Sequence, residues 1–370
     1  MPRVIVRKAG YESETLTPLF GEMMTALGGE RIQRGSRVLI KPNLLSPAFP
    51  GQALLTHPAV IRAAVVYVLR LGAKPLVADS PAIGSFEKIL RDGGIRDALQ
   101  GLDVEVRPFR ESVKADVGAP FDRIEMAADA LAADFVINLP KLKTHGQMLL
   151  TLGVKNLFGC IVGFRKPEWH MRAGVDREMF ARLLVQICRR IRPAFTILDG
   201  VLAMEGEGPG KSGTPRPLGV LVGGEDPFAV DEAVCRMIGL DPQKLPTLRV
   251  AKALGLTEGK LEVDGALPAV DDFKLPDAAP LVYGPDRLQG WIRRHVVQRP
   301  VADGSRCTLC GECGKFCPAR AISMPGKGLR FDYDRCIRCY CCIEICPQGA
   351  LRAVETPAGR MIRRITDRFK

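Results

Sequence analysis

Eight cysteines near the C-terminus are spaced for chemistry. Cys307, Cys310, Cys313 and Cys317 follow C-x2-C-x2-C-x3-C, with Pro318 behind the last, and Cys336, Cys339, Cys342 and Cys346-Pro347 repeat the pattern. Thiolates two residues apart on a tight loop can reach three irons of one cube, and the fourth ligand must come from elsewhere. The spacing therefore predicts two [4Fe–4S] clusters with crossed fourth ligands. Cys307, Cys310, Cys313 and Cys346 would hold one; Cys336, Cys339, Cys342 and Cys317 the other. Structural zinc has no use for the third cysteine or the x3-C-P. Nothing marks the chain for the export that a disulfide framework requires. Cys341 is surplus to the spacing and reads as a shielded thiol, with a spare ligand as the alternative. Cys160, Cys188 and Cys235 lie in apolar stretches and read as small hydrophobes.

A second set of polar residues is gathered where apolar strands end. Lys41-Pro42-Asn43 follows one strand and Asp79-Ser80-Pro81 the next; Asn138 leads into Leu139-Pro140-Lys141-Leu142-Lys143-Thr144-His145. Later strands run into Asp199-Gly200 and into Gly223-Gly224-Glu225-Asp226-Pro227. Ligands of open parallel sheets bind beyond the carboxyl ends of the strands, so these positions mark a crevice. Lys155 and Asn156 sit in an apolar, glycine-bounded stretch, Gly153 to Gly159. A lysine there is desolvated, suited to proton transfer or to gripping a carboxylate or phosphate. Of the four histidines, His57, His145 and His170 fall beside these loops. Histidine is the side chain best placed to move protons near neutral pH.

The elements that must position these residues alternate. Strands are expected at Arg37–Ile40, Pro75–Ala78, Val104–Arg107, Asp134–Asn138, Ala194–Leu198 and Leu218–Val222. Helices are expected at Ala59–Leu71, Asp176–Ile191 and Pro227–Ile238, the last capped by Asp226 with proline in its first turn. This is an α/β pattern: a mostly parallel open sheet with helices on both faces. The N-terminus reads as an edge strand rather than a signal peptide. Residues 1–264 would form this α/β domain, 265–300 a linker or wrapping segment, 301–352 a small α+β cluster module and 353–370 a basic tail. Glu205–Gly213 resembles a phosphate loop, but the first required glycine would fall at Glu205 and no helix follows. It reads as a flexible loop or lid.

With 370 residues, 46% of them hydrophobic, the chain can build more than one core. No run approaches the length of a membrane span, and a reducing cytoplasm is the expected compartment. The net charge of +12 is spread along the chain without an aromatic-interleaved basic patch, which argues against nucleic acid. Arg360, Arg363, Arg364, Arg368 and Lys370 concentrate charge in the tail, where an acidic redox partner protein could dock.

Residues 301–352 resemble bacterial two-cluster ferredoxins. The Lys41-Pro42-Asn43, Asp79-Ser80-Pro81, Asn138–His145, Gly153–Asn156 and Gly223–Pro227 segments resemble the domain of unknown function 362 iron–sulfur centre family over roughly residues 1–240. That resemblance implies a fold and a site without a reaction; a more distant likeness runs to the lactate racemase group. Together these readings lead to an oxidoreductase whose ferredoxin module relays electrons to or from an anionic substrate or cofactor. Lys41, Asn43, Asp79, Lys141, Lys143, Asn156 and Asp199 would bind or orient it, and His145, His170 and Lys155 would act on it. The alternatives are a non-catalytic electron-transfer or maturation protein docking a redox partner, and a racemase-like isomerase with structural clusters.

Overall fold

The computed structural model describes residues 1–81, 84–163, 165–173, 176–276, 291, 295–326 and 328–366. The central strands Arg37–Pro42, Lys74–Asp79 and Phe135–Leu139 are nearly continuous apolar runs because both faces are covered. Alternation sends successive side chains to opposite faces. Ile5, Val38, Ile40, Ile137 and Ile197 pack with Phe20, Met23, Val60 and Ile61 of the helices Ser13–Ala26 and Pro58–Arg70. Val4, Val6, Leu39, Val136 and Leu198 pack with Phe180, Leu184, Val230 and Val234 of Arg177–Ile191 and Pro227–Met237. The sheet thus separates two cores.

Its strand order is Glu262–Asp264, Arg3–Lys8, Gly213–Gly224, Phe195–Gly206, Phe135–Leu139, Arg37–Pro42, Lys74–Asp79, Glu105–Pro108. From Phe195–Gly206 to Glu105–Pro108 all neighbours are parallel; Gly213–Gly224 runs antiparallel between Phe195–Gly206 and Arg3–Lys8. The N-terminal strand is not an edge. Glu262–Asp264 pairs with its outer side, and Asp264 accepts ion pairs from Arg3 and Arg7. The three expected helices are present, with Asp176 and Asp226 accepting first-turn N–H bonds as N-caps.

Two local readings change. Lys141–His145, expected as a segment beyond a strand end, is itself a buried strand, pairing with Phe195–Gly206 and with Leu149–Thr151. Glu205–Gly213 is not a free lid: it closes the hairpin between two twelve-residue strands. Gly208 N donates to Thr144 Oγ1 at 3.1 Å, and Ser212 Oγ donates to Gly349 O at 3.3 Å. A Cβ on Gly210 would stand 2.8 Å from Glu344 O, so glycine lets this hairpin press against the cysteine-rich module.

That module pairs Arg299–Ala302 with Leu351–Val354 and Ile322–Ser323 with Arg330–Phe331, and contains the short helices Glu312–Lys315 and Cys341–Ile345. Phe273 is buried against the α/β core, so at least residues near it wrap the sheet. The helix Pro357–Thr366 carries exposed Arg360. The side chains of Arg363 and Arg364, and all of Arg368 and Lys370, lie outside the described residues.

Candidate functional site between sheet and cysteine module

Beyond the carboxyl ends of Arg37–Pro42 and Lys74–Asp79 lies a cavity of about 290 Å³. Asn43, Asp79, Lys155, Asn156 and His170 line it from the α/β side, and Phe316, Cys341, Glu344 and Ile345 close it from the module. Five residues expected from sequence therefore meet in one space. Lys41, Lys141, Lys143, His145 and Asp199 are not part of its lining; each is buried and partnered.

Those partners explain how lysines can be buried. Lys41 Nζ lies 2.8 Å from Asp79 Oδ1 and donates to Pro42 O at 2.7 Å. Asp79 also accepts from Leu44 N and Ser80 N, fixing the two loops that rim the cavity. Lys141 Nζ donates to Asp199 Oδ2 at 2.8 Å and to Tyr11 Oη at 2.9 Å, while Tyr11 donates to Asp199 Oδ1 at 2.8 Å. Burial lowers the Lys141 pKa against the pull of Asp199, and raises that of Tyr11. Lys143 has a carbonyl, Leu54 O at 2.8 Å, and among the described residues no carboxylate in hydrogen-bond reach; burial, then the charge of Lys155, brings its pKa to about 7. His57 caps Pro58–Arg70 through Nδ1 and stacks on Tyr11 at 3.5 Å.

An amide relay sets the cavity floor. Asn43 Nδ2 donates to Asn156 Oδ1 at 2.9 Å, and Asn156 Nδ2 donates to Asn138 Oδ1 at 2.8 Å and to Lys41 O at 3.2 Å. Lys155 is presented by the short helix Gly153–Asn156, whose first N–H groups donate to Asp231: Gly153 N at 2.7 Å and Val154 N at 3.2 Å. Burial pushes the Asp231 carboxyl up to about 8 despite those bonds. A raised folded pKa contributes stability that is complete below the ordinary carboxylate value, about 4, and is lost as pH rises through about 8. Asp231→Asn keeps an acceptor and removes the titration. Urea unfolding midpoints should therefore fall less between pH 5 and 9 in the variant than in the parent chain.

The cavity wall holds polar atoms with no partner among the described residues. Thr151 Oγ1, His170 Nδ1 and Asn43 Oδ1 are buried and unbonded, with Thr151 and His170 only 3% and 6% exposed. His170 packs on Phe158 and Phe180, and burial takes its pKa to about 3, so it is neutral and can donate or accept at Nδ1. No described group accepts a hydrogen bond from the Lys155 ammonium, whose pKa is lowered first by burial and raised in part by Glu344. Lys166, by contrast, bonds Ser80 O, and burial brings its pKa to about 8.

Sequence reasoning missed Lys166, Thr151, Tyr11 and Glu344. A threonine in the apolar run Leu149–Leu152 and a glutamate between cluster cysteines were the available signals. Glu344 is the most consequential. His145 Nδ1 accepts from Gln147 N and Met148 N, both at 3.1 Å, which leaves the imidazole proton on Nε2. Nε2 stands 2.6 Å from Glu344 Oε1, a close contact rather than an aligned hydrogen bond. Burial lowers the His145 pKa to about 4; burial opposes ionisation of Glu344, but His145 and Lys155 hold its carboxylate charged.

The cysteines fit cubane groups. The thiols of Cys307, Cys310 and Cys313 share one cavity with Cys346 of the second run. Burial raises Cys313 to about 11, and its neighbours Cys310, Cys346 and Cys307 push the same way. Cys342 is raised by burial and by Cys339, Cys336 and Cys317. Among the described residues no group of three or more His, Cys, Asp or Glu side chains is placed to hold a single metal ion. Cys341 is a buried free thiol, hydrogen-bonded to Cys339, and borders the 290 Å³ cavity. Cys160, Cys188 and Cys235 are buried in the core, with thiol pKa values raised by desolvation.

Residues 38–236 match the model of a domain of unknown function, DUF362, and residues 299–347 match a 4Fe–4S dicluster domain. A thylakoid-associated protein of Synechocystis sp. is 38% identical over 307 residues, covering 81% of this chain and 95% of that protein. Pyruvate synthase subunit PorD of Methanocaldococcus jannaschii is 39% identical over 58 residues, 15% of this chain and 67% of that subunit. The lactate racemase apoprotein of Thermoanaerobacterium thermosaccharolyticum aligns at a TM-score of 0.41 and 12% identity, over 61% of this chain and 55% of that one. Among the described residues no helix is long and apolar enough to cross a membrane. The two matched domains account for the mixed α/β sheet and the cysteine module in turn, and the chain belongs to the DUF362 family, with a 4Fe–4S dicluster domain at its C-terminal end.

Proposed function

We propose that the chain is a cytoplasmic iron–sulfur oxidoreductase acting on a small anionic molecule bound between the sheet and the cysteine module. The observation that carries this reading is Lys155, an ammonium without a hydrogen-bond acceptor in the described protein, facing a cavity whose wall also holds unbonded Thr151 Oγ1 and His170 Nδ1. Buried polar groups are ordinarily paired, and orphans gathered in one cavity indicate a ligand that pairs them.

Lys155 would grip the anionic group, Thr151 and Asn43 would bond an adjacent polar substituent, and Asn156 would hold Asn43 in place. His170 would give or take a proton at Nδ1, while His145 acts one carboxylate further back through Glu344. Lys41, Lys141 and Asp199 would fix the loops rather than touch the ligand, and Lys143 adds positive charge behind them. Two [4Fe–4S] groups, held by Cys307, Cys310, Cys313, Cys346 and by Cys336, Cys339, Cys342, Cys317, would supply single electrons. Glu344 and Cys341 belong both to the second cysteine run and to the cavity wall, which supports coupling between the two.

The similarity to PorD favours a second reading, a non-catalytic electron-transfer subunit. Strictly anoxic purification separates them: iron and sulfide analysis should give about eight irons per chain, and mass spectrometry should detect a retained anionic molecule. Four or fewer irons at full occupancy would contradict the paired clusters, and an empty crevice would favour the second reading.

A further inference from the structure

The two cysteine sets differ in exposure. Cys339 and Cys342 are buried, and Cys341 and Phe316, neighbours of that set in the chain, line the crevice, whereas Cys310 is exposed. Beside Cys310, Leu309 and Met324 are exposed to 38% and 46%, and Met324 approaches Gly311. Exposed cations lie close to this apolar spot: Lys315 N donates to Gly311 O, and Arg330 pairs with Ser323, the residue before Met324. Arg306 precedes Cys307, Lys315 ends the helix that starts after Gly311, and Arg330 follows Leu329, which lines the cavity of Cys307, Cys310, Cys313 and Cys346. All three are exposed. Of the nearby acids, Asp303 is engaged by Ser305 and Glu312 is half-buried.

We propose that this face is the docking surface for a small acidic protein that carries single electrons. An apolar centre with a charged rim is the anatomy of a specific but transient interface. A cationic rim steers an acidic partner, so charge complementarity selects the occupant. A second copy of this chain, at a net charge of +12, would be repelled. Each encounter moves one electron: the carrier is oxidised as the group held at Cys310 is reduced. The exposed edge is the entrance and the buried set faces the crevice. The proposal stands or falls separately from the identity of the crevice ligand.

Binding of the iron-replete protein to an acidic ferredoxin-type carrier, measured by titration calorimetry at low and high ionic strength, tests it. Affinity should drop with salt. Lys315→Glu with Arg330→Glu should weaken binding by about 10-fold or more with iron content unchanged. If that pair loses iron, Lys315→Gln with Arg330→Gln is read instead and should give a smaller loss in the same direction. Undiminished affinity in an iron-replete variant, equal binding of a basic carrier, or loss on Arg360→Glu alone would overturn the proposal, the last by moving the surface to the tail. Concentration-dependent self-association through this face would also overturn it.

Discussion

Replacing Lys155 with methionine is expected to empty the crevice. Methionine has similar length and no charge, so the cavity keeps its shape while the anion loses its counter-charge. Truncating one partner of a buried, hydrogen-bonded charge pair costs about 2–5 kcal/mol, roughly 30- to several-thousand-fold in affinity. The retained molecule should disappear from anoxically purified protein while iron content and unfolding midpoint stay close to those of the parent. Glu344 also loses a neighbouring cation and keeps His145, already the stronger of the two influences that lower its pKa. Undiminished retention of the molecule would remove Lys155 from the site.

Replacing Asp199 with alanine should instead unfold the protein readily. Asp199 accepts from Lys141, Tyr11, the backbone of His57 and that of Val201, all inside the fold. Removing it strands a buried ammonium, for which about 3–5 kcal/mol is the expected loss. Adding Lys141→Met to Asp199→Ala should recover much of this, since the uncompensated charge is then gone. Denaturant unfolding of the single and double variants measures it. A single variant as stable as the parent would show that Asp199 does not hold the Lys141 region together.

The contrast between these lysines marks the limit of sequence reading. The 4Fe–4S dicluster domain was legible because its cysteine spacing is local. Strand positions were legible because apolar runs such as Val38–Ile40 and Phe135–Ile137 are covered on both faces. The sequence Lys141-Leu142-Lys143-Thr144-His145 looked like a ligand-binding segment beyond a strand end because no local signal shows where its charges are satisfied. Its partners, Asp199, Leu54 O, the Gly208 N–H and Glu344, come from distant segments and from the other domain. Lys155 looked the same in composition and differs only in lacking such a partner. Glu344 was hidden for a related reason: within Cys341–Ile345 it reads as an ordinary helical acid until the module is docked on the sheet.

The central claim is that the crevice and the cysteine module exchange electrons. The most direct measurement is mass spectrometry of the molecule retained by anoxic protein, before and after dithionite reduction and reoxidation, with the visible absorbance of the clusters followed in parallel. The account predicts that the molecule changes with the clusters, its mass differing by a pair of hydrogens between the reduced and reoxidised protein. Clusters that bleach and recover while the retained molecule stays the same would contradict it.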